Sequence, residues 1–170
     1  MHPRASEFAE RAAAEHDLEV APTEFPEGTK TAADAADAIG CATAQIASSI
    51  VVQLDSSTPD RGTAASPADE DLVVAVTSGA NRVDLAAVAD RFDAADAAMA
   101  DADRVREIVG WSIGGVPPIC HDADLPVVLD PTLREFDVVW AAAGTPTAVW
   151  PVDPERLVAI SGATVVDLTE

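Results

Sequence analysis

Nine residues from Gly110 to Pro118, Gly-Trp-Ser-Ile-Gly-Gly-Val-Pro-Pro, hold three glycines and two adjacent prolines in a chain otherwise rich in Ala, Val and Asp. Gly114 and Gly115 can adopt positive φ and let a ligand approach the main chain, while Pro117 and Pro118 stiffen the exit and remove two N–H groups. The remaining amides are free to point at an oxygen atom. A glycine-rich loop of this kind binds phosphate or stabilises the oxyanion formed when an ester is attacked. The same residues also make a plain tight turn, and only the rest of the chain separates the two readings.

Other reactive residue types are sparse. Cys120 and His121 suggest a nucleophile and its base, but neighbours on an extended chain point to opposite sides, so adjacency does not build that pair. His121 reads as a residue that orients substrate or as a histidine on an exposed loop; His2 and His16 read as surface. Asp84 is a helix cap and Asp130, ahead of Pro131, a turn residue. Trp140 and Trp150 sit in apolar strands and read as core, whereas Trp111, inside the loop, is a candidate pocket wall. Cys41 and Cys120 are too distant in sequence for a metal knuckle and too few for a disulfide framework, so the expectation is a reduced cytoplasmic protein with no metal and no cofactor.

These groups have to be positioned by a single domain. The chain has 170 residues, of which 48% are hydrophobic, enough for one substantial core. Residues Pro3 to about His16 form a surface helix with an apolar stripe at Ala5, Phe8, Ala9, Ala12 and Ala13. Leu18 to Val20 reads as a short strand. A second helix is expected from an N-cap at Thr31 to a stop at Gly40. Strands are expected at Ser49–Leu54 and Leu72–Thr77, joined by a long polar loop from Asp55 to Asp71. Asp84 opens a helix to Phe92, and another runs from about Asp101 to Val109, ended by Gly110. Strands at 126–129, 138–143, 147–150 and 164–168 and a helix at 153–160 complete the reading. Strands and helices interleave without a regular βαβ rhythm, which implies an α+β fold around a mixed sheet.

Charge sets the surroundings. Thirty acidic residues face ten basic ones, a net charge of −20, and Lys30 is the single lysine. The excess is spread along the chain, as expected for a halophilic protein kept soluble at molar salt. Near 1 M salt the Debye length is about 3 Å, so repulsion from a polyanion is largely screened, as is most counterion-release gain. A nucleic-acid contact here must therefore rest on short-range hydrogen bonds and pockets. The N-terminal residues lack the apolar core of a signal peptide, and uncharged runs such as Ala38–Leu54 are too polar for a membrane span.

Four stretches in this order resemble the YbaK/ProX-type editing domains associated with prolyl-tRNA synthetase: Thr31–Ala36 with Gly40, Gln45–Val52, Ser78-Gly79 with Arg82-Val83-Asp84, and Gly110–Pro118. Asp130 and Ala142-Ala143-Gly144 add to the likeness, which covers roughly residues 18–168. The resemblance implies a curled, barrel-like mixed sheet surrounded by helices, a single domain over residues 1–170, and a free-standing hydrolase of wrongly charged tRNA. The family loop Gly-x-x-x-Gly-Gly-Val-x-Pro falls on Gly110, Gly114, Gly115, Val116 and Pro118, whose amides would polarise the ester carbonyl. Thr31, Ser48, Ser78, Gly79, Arg82, Pro118, His121 and Gly144 would line the substrate site. The partners implied are the acceptor end of an aminoacyl-tRNA and a synthetase, without a membrane; nothing in the residues specifies an oligomeric state.

Two departures stand out. The family strand reads Gln-Ile-x-Lys-Ser-Leu-Val-Phe, and this chain has Ser48 at the lysine, so the positive charge must come from Arg82, Lys30 or bound K+, or be forgone. Cys120 stands where relatives often have glycine. Two functions follow: deacylation of a small noncognate residue such as Cys or Ala on tRNA for proline, or a non-catalytic module that binds a nucleotide or tRNA end. A small-molecule esterase with a serine nucleophile elbow is set aside.

Overall fold

A computed structural model of the chain describes residues 3–24, 32–55, 72–122, 125–145 and 147–169. Lys30, Thr31 and the whole loop of residues 56–71 lie outside the described residues. Helix α1 (Pro3–His16) buries Ala5, Phe8 and Ala12 of the stripe expected from sequence, whereas Ala9 is half-buried and Ala13 exposed. Phe8 packs between Trp111, with centroids 6.1 Å apart at 80°, and Trp150, at 5.4 Å and 49°. Such edge-on and tilted ring pairs add about 0.5–1.5 kcal/mol each beyond burial. The strand expected at Leu18–Val20 does not form. Leu18 instead donates its N–H to Ala12 O at 3.2 Å, closing α1, and its side chain enters the core.

The first strand is β1 (Thr23–Glu24), followed by α2 (Ala32–Ile39), which stops at Gly40 with φ +88°. A 3-10 turn at Thr43–Gln45 leads into β2 (Ile46–Asp55), which pairs antiparallel with β3 (Leu72–Ser78) from Ala47↔Ser78 to Gln53↔Leu72. Helix α3 (Leu85–Arg91) is capped by Asp84, whose Oδ1 accepts from Ala86 N at 3.1 Å and Ala87 N at 3.3 Å. Such a cap contributes about 1 kcal/mol.

Strand β4 (Asp96–Met99) was not foreseen, because Asp-Ala-Ala-Met has neither β-branched residues nor alternation. It is a strand because the far half of β2 offers it an edge, with Val52↔Met99 to Asp55↔Asp96 in register. Helix α4 (Ala102–Arg104) runs on as one π-helical turn to Val109 and ends at Gly110. Strand β5 (Val127–Leu129), a 3-10 turn at Pro131–Glu135, β6 (Val139–Ala142), β7 (Ala148–Val152), α5 (Pro154–Ser161) and β8 (Thr164–Val165) complete the fold.

Among the described residues the sheet has eight strands in the order β1-β7-β6-β2-β3-β5-β8, with β4 branching from β2. Pairs β2–β6, β3–β5 and β5–β8 are parallel and the others antiparallel. The mixed sheet expected from sequence is present, but β1 and β8 do not pair, so it does not close into a barrel. All seven residues of β3 are buried, as a strand covered on both faces requires. Leu72, Val74 and Val76 meet the core beneath α1, while Val73 and Ala75 join Val88 and Ala89 of α3. Among the described residues no helix is long and apolar enough to cross a membrane.

Candidate functional site

The site begins with a gap in the sheet. Along one edge of β2, β6 pairs only with Ile46 and Ala47. Farther along that edge β4 takes over at Val52, and Ala100 N–H reaches Val51 O at 3.0 Å. Ser48, Ser49 and Ile50 therefore face no strand on that edge among the described residues. Ser48, half-buried, shares a sheet face with its cross-strand partner Thr77. Ser49 points to the opposite face, and its Oγ is buried without a hydrogen-bond partner among the described residues.

The Gly/Pro loop is held beside this gap. Gly144 lies three residues beyond Ala141, the partner of Ala47, and donates its N–H to Gly115 O at 3.0 Å. Gly144 has φ +95°, and a Cβ there would come 2.7 Å from both Arg4 O and the Trp111 ring. A Cβ on Gly115 would stand 2.6 Å from Thr145 Cα. The glycines thus let two backbone segments pack without intervening side chains.

Within the loop the donors divide. Gly115 N–H is used internally, by Ser112 O at 2.9 Å. No backbone acceptor among the described residues meets the amides of Gly114 or Val116. Gly114, exposed with φ +90°, shapes the turn, whereas Val116 is 2% exposed. A buried amide without an acceptor is costly unless a ligand oxygen completes it. Pro118 is buried, and His121 Nε2 lies 2.7 Å from Pro117 O, so His121 braces the loop exit. Burial holds its imidazole below the usual range, hence neutral at pH 7.

Trp111 is not a pocket wall. It is fully buried, donates Nε1–H to Cys120 O at 2.9 Å and lies 4.2 Å under the Arg4 guanidinium. Arg4 also donates to Gly110 O. The loop entrance is therefore anchored on α1. Cys120 is buried at φ +64°, and burial followed by the Glu15 carboxylate pushes its thiol up to about 12, which leaves no thiolate for nucleophilic attack. Gly110–Gly114 does have the Gly-x-Ser-x-Gly spacing of a nucleophile elbow, a match that the sequence reading passed over. The elbow requires a strand before the serine. Here an exposed Ser112 follows a helical turn, and no histidine bonds to it among the described residues.

On the other flank Asp130 is a hub that sequence reading reduced to a turn residue. Only 3% exposed, it accepts Ser78 N–H at 3.1 Å, Asn81 Nδ2–H at 2.8 Å and Thr132 N–H at 2.9 Å. Ser78 Oγ donates to Ala44 O at 2.8 Å and Gly79 N–H to Ile46 O at 2.7 Å. Ser78 and Gly79 thereby fix the turn after β3 against the start of β2. Arg82, next in the turn, is exposed. Asn81 was not foreseen, since its role depends on Asp130, far away in sequence. Thr31 lies outside the described residues.

Residues 26–160 match the model of the aminoacyl-tRNA editing domain, and the chain belongs to that family. A candidate trans-editing enzyme for prolyl tRNA synthetase is similar to it, with 32% identity over 100% of this chain and 99% of the other, and a TM-score of 0.86. A scaffold protein used for computational epitope grafting is also similar, at 31% identity, 100% and 99% coverage and a TM-score of 0.87. The protein APE2540 shares the fold at 23% identity, 96% and 99% coverage and a TM-score of 0.77.

Proposed function

We propose that the protein is a trans-acting deacylase that hydrolyses the ester between a small noncognate amino acid, Cys or Ala, and the acceptor end of tRNA for proline. It would act in the cytoplasm, free or beside a prolyl-tRNA synthetase. The observation that carries the reading is the Val116 amide, buried and without an acceptor among the described residues, in the loop that Gly144 ties to the strand bordering the gap at Ser48–Ile50. In this reading Val116 N–H, with Gly114 N–H at the mouth, donates to the ester carbonyl oxygen. Water adds to the carbonyl carbon, negative charge collects on that oxygen, and the bond to the ribose oxygen breaks. The water's proton ends on the ribose hydroxyl and the amino acid leaves.

An aminoacyl ester is already activated, so preorganised donors worth about 3 kcal/mol each and a positioned water suffice without a side-chain nucleophile. Gly110 and Gly115 set the loop's path, and Pro118 with His121 holds its exit. Gly79 and exposed Arg82 border the substrate, while buried Ser78 and Gly144 hold the backbone around it, with Arg82 the nearest cation in sequence to the Ser78 turn. Pocket size selects the amino acid, as the second sieve of an editing system.

The test is to delete the donor. Val116→Pro removes that N–H and should lower the deacylation rate about a hundredfold or more, with the fold verified by circular dichroism. An unchanged rate in the folded variant would exclude the loop as the oxyanion site.

A second reading rests on Ser48, which stands at the family lysine. Without that charge the domain binds a nucleotide or acceptor end and turns nothing over. Absence of hydrolysis by wild type, gained on Ser48→Lys, would establish it.

A further inference from the structure

Behind the loop exit lies a concavity of about 330 Å³, lined by Glu15, His16, Cys120, His121, Leu125 and Ile160 among others. One ligand atom each from Glu15, His16 and Cys120 falls within 4.8 Å of the other two. The sequence separates the first two from Cys120 by more than a hundred residues, so no spacing motif records the cluster. From this juxtaposition we infer that Glu15, His16 and Cys120 form a binding site for a borderline-soft divalent cation of the zinc type.

The donor set suits that class. Zinc takes thiolate, imidazole and carboxylate ligands, and a coordinated cation itself deprotonates the buried thiol; at bond lengths of about 2.0–2.3 Å the ligand atoms stand roughly 3.3–3.8 Å apart in a tetrahedron. The cluster needs only a small contraction to reach this. Exposed Glu15 and half-buried His16 have the side-chain freedom to supply it, while Cys120 is fixed in the core. A fourth position stays open to solvent. The cluster also sits at the C-terminal end of the 14-residue α1, where unpaired carbonyls favour a cation.

One charge opposes the site. Arg11 Nε donates to Glu15 Oε2 at 2.9 Å, and Arg11 Nη1 to Asp122 Oδ1 at 2.8 Å. That arrangement leaves Glu15 Oε1 for the metal and spends the guanidinium on two carboxylates. Because Trp111 Nε1 bonds Cys120 O, a bound cation would tie the end of α1 to both ends of the Gly/Pro loop.

Full-length protein stripped with a chelator is titrated with Co²⁺ in about 2 M KCl, where loose binding to the acidic coat is screened. The inference predicts saturation at one equivalent, a thiolate-to-cobalt charge-transfer band, and displacement by Zn²⁺. Cys120→Ser should abolish the band and Cys41→Ser should keep it. Glu15→Gln and His16→Gln, at accessible positions, should keep the band and weaken affinity about tenfold or more, at least the loss seen for groups that only support a metal ligand. Uptake without saturation or band, or affinity unchanged in both Glu15→Gln and His16→Gln, would overturn it.

Discussion

Gly115 and Thr145 touch backbone to backbone: a Cβ on the glycine would stand 2.6 Å from Thr145 Cα and 2.7 Å from its carbonyl carbon. The neighbouring Gly144 N–H donates to Gly115 O at 3.0 Å. The position of the candidate oxyanion loop is thus set by contact with the β6–β7 turn. Gly115→Ala should push the loop off its seat, costing about 1–3 kcal/mol by overpacking and lowering Tm by roughly 2–4 °C per kcal/mol. Deacylation should fall more than stability does. A thermal melt beside a rate measurement checks both, and an alanine variant with wild-type Tm and rate would mean that the contact is easily relieved.

Asp130 organises the opposite flank through three accepted hydrogen bonds. Asp130→Ala leaves Ser78 N–H, Asn81 and Thr132 N–H without that acceptor, and a buried orphan donor costs about 1–3 kcal/mol. The expected result is a loss of about 3 kcal/mol in denaturant unfolding. Asp130→Asn should lose less, because it keeps one acceptor oxygen. Equal stability of wild type and Asp130→Ala would remove Asp130 from this role.

Ser48→Lys returns a cation to the edge of the gap. If the acceptor end passes there, a charged hydrogen bond to phosphate should lower KM for mischarged tRNA about tenfold, the equivalent of about 1.4 kcal/mol. Steady-state kinetics in fixed salt measures it. Ser48→Ala should change KM little. A lysine variant with unaltered KM would place the tRNA elsewhere.

The net charge of −20 predicts that folding depends on salt. Between 0.1 and 1 M ionic strength the Debye length shrinks from about 10 Å to about 3 Å, which weakens the self-repulsion of the compact state. The unfolding midpoint should therefore rise steadily with KCl. A midpoint that does not move with salt would refute the halophilic reading of the acidic coat.

Local signals were legible because each acts within a few residues: Gly110 and Gly40 as stops with positive φ, Asp84 as cap, the Ala5-Phe8-Ala12 stripe. The family loop was legible because its glycines and prolines are contiguous. What escaped depends on partners distant in the chain. Asp96–Met99 is a strand only because β2 outruns β6 and leaves an edge to fill. Trp111 looked like a pocket residue inside its loop, yet α1 covers it with Arg4 and Phe8. The same holds for the Asn81–Asp130 bond and for the Glu15, His16 and Cys120 cluster. The division of donors, with Gly115 N–H spent on Ser112 and Val116 N–H without an acceptor among the described residues, is a matter of loop geometry that residue types do not encode.

If the Val116 amide serves the hydrolysis of a mischarged tRNA, removing it must slow that reaction. The most direct test is release of amino acid from tRNA for proline charged with Ala or Cys, by wild type and Val116→Pro side by side in about 2 M KCl, where the acidic fold is screened. Wild type should turn the substrate over, and the folded variant should lose about a hundredfold or more of that rate. Equal turnover by both, or none by folded wild type on any mischarged tRNA, would contradict that role for Val116.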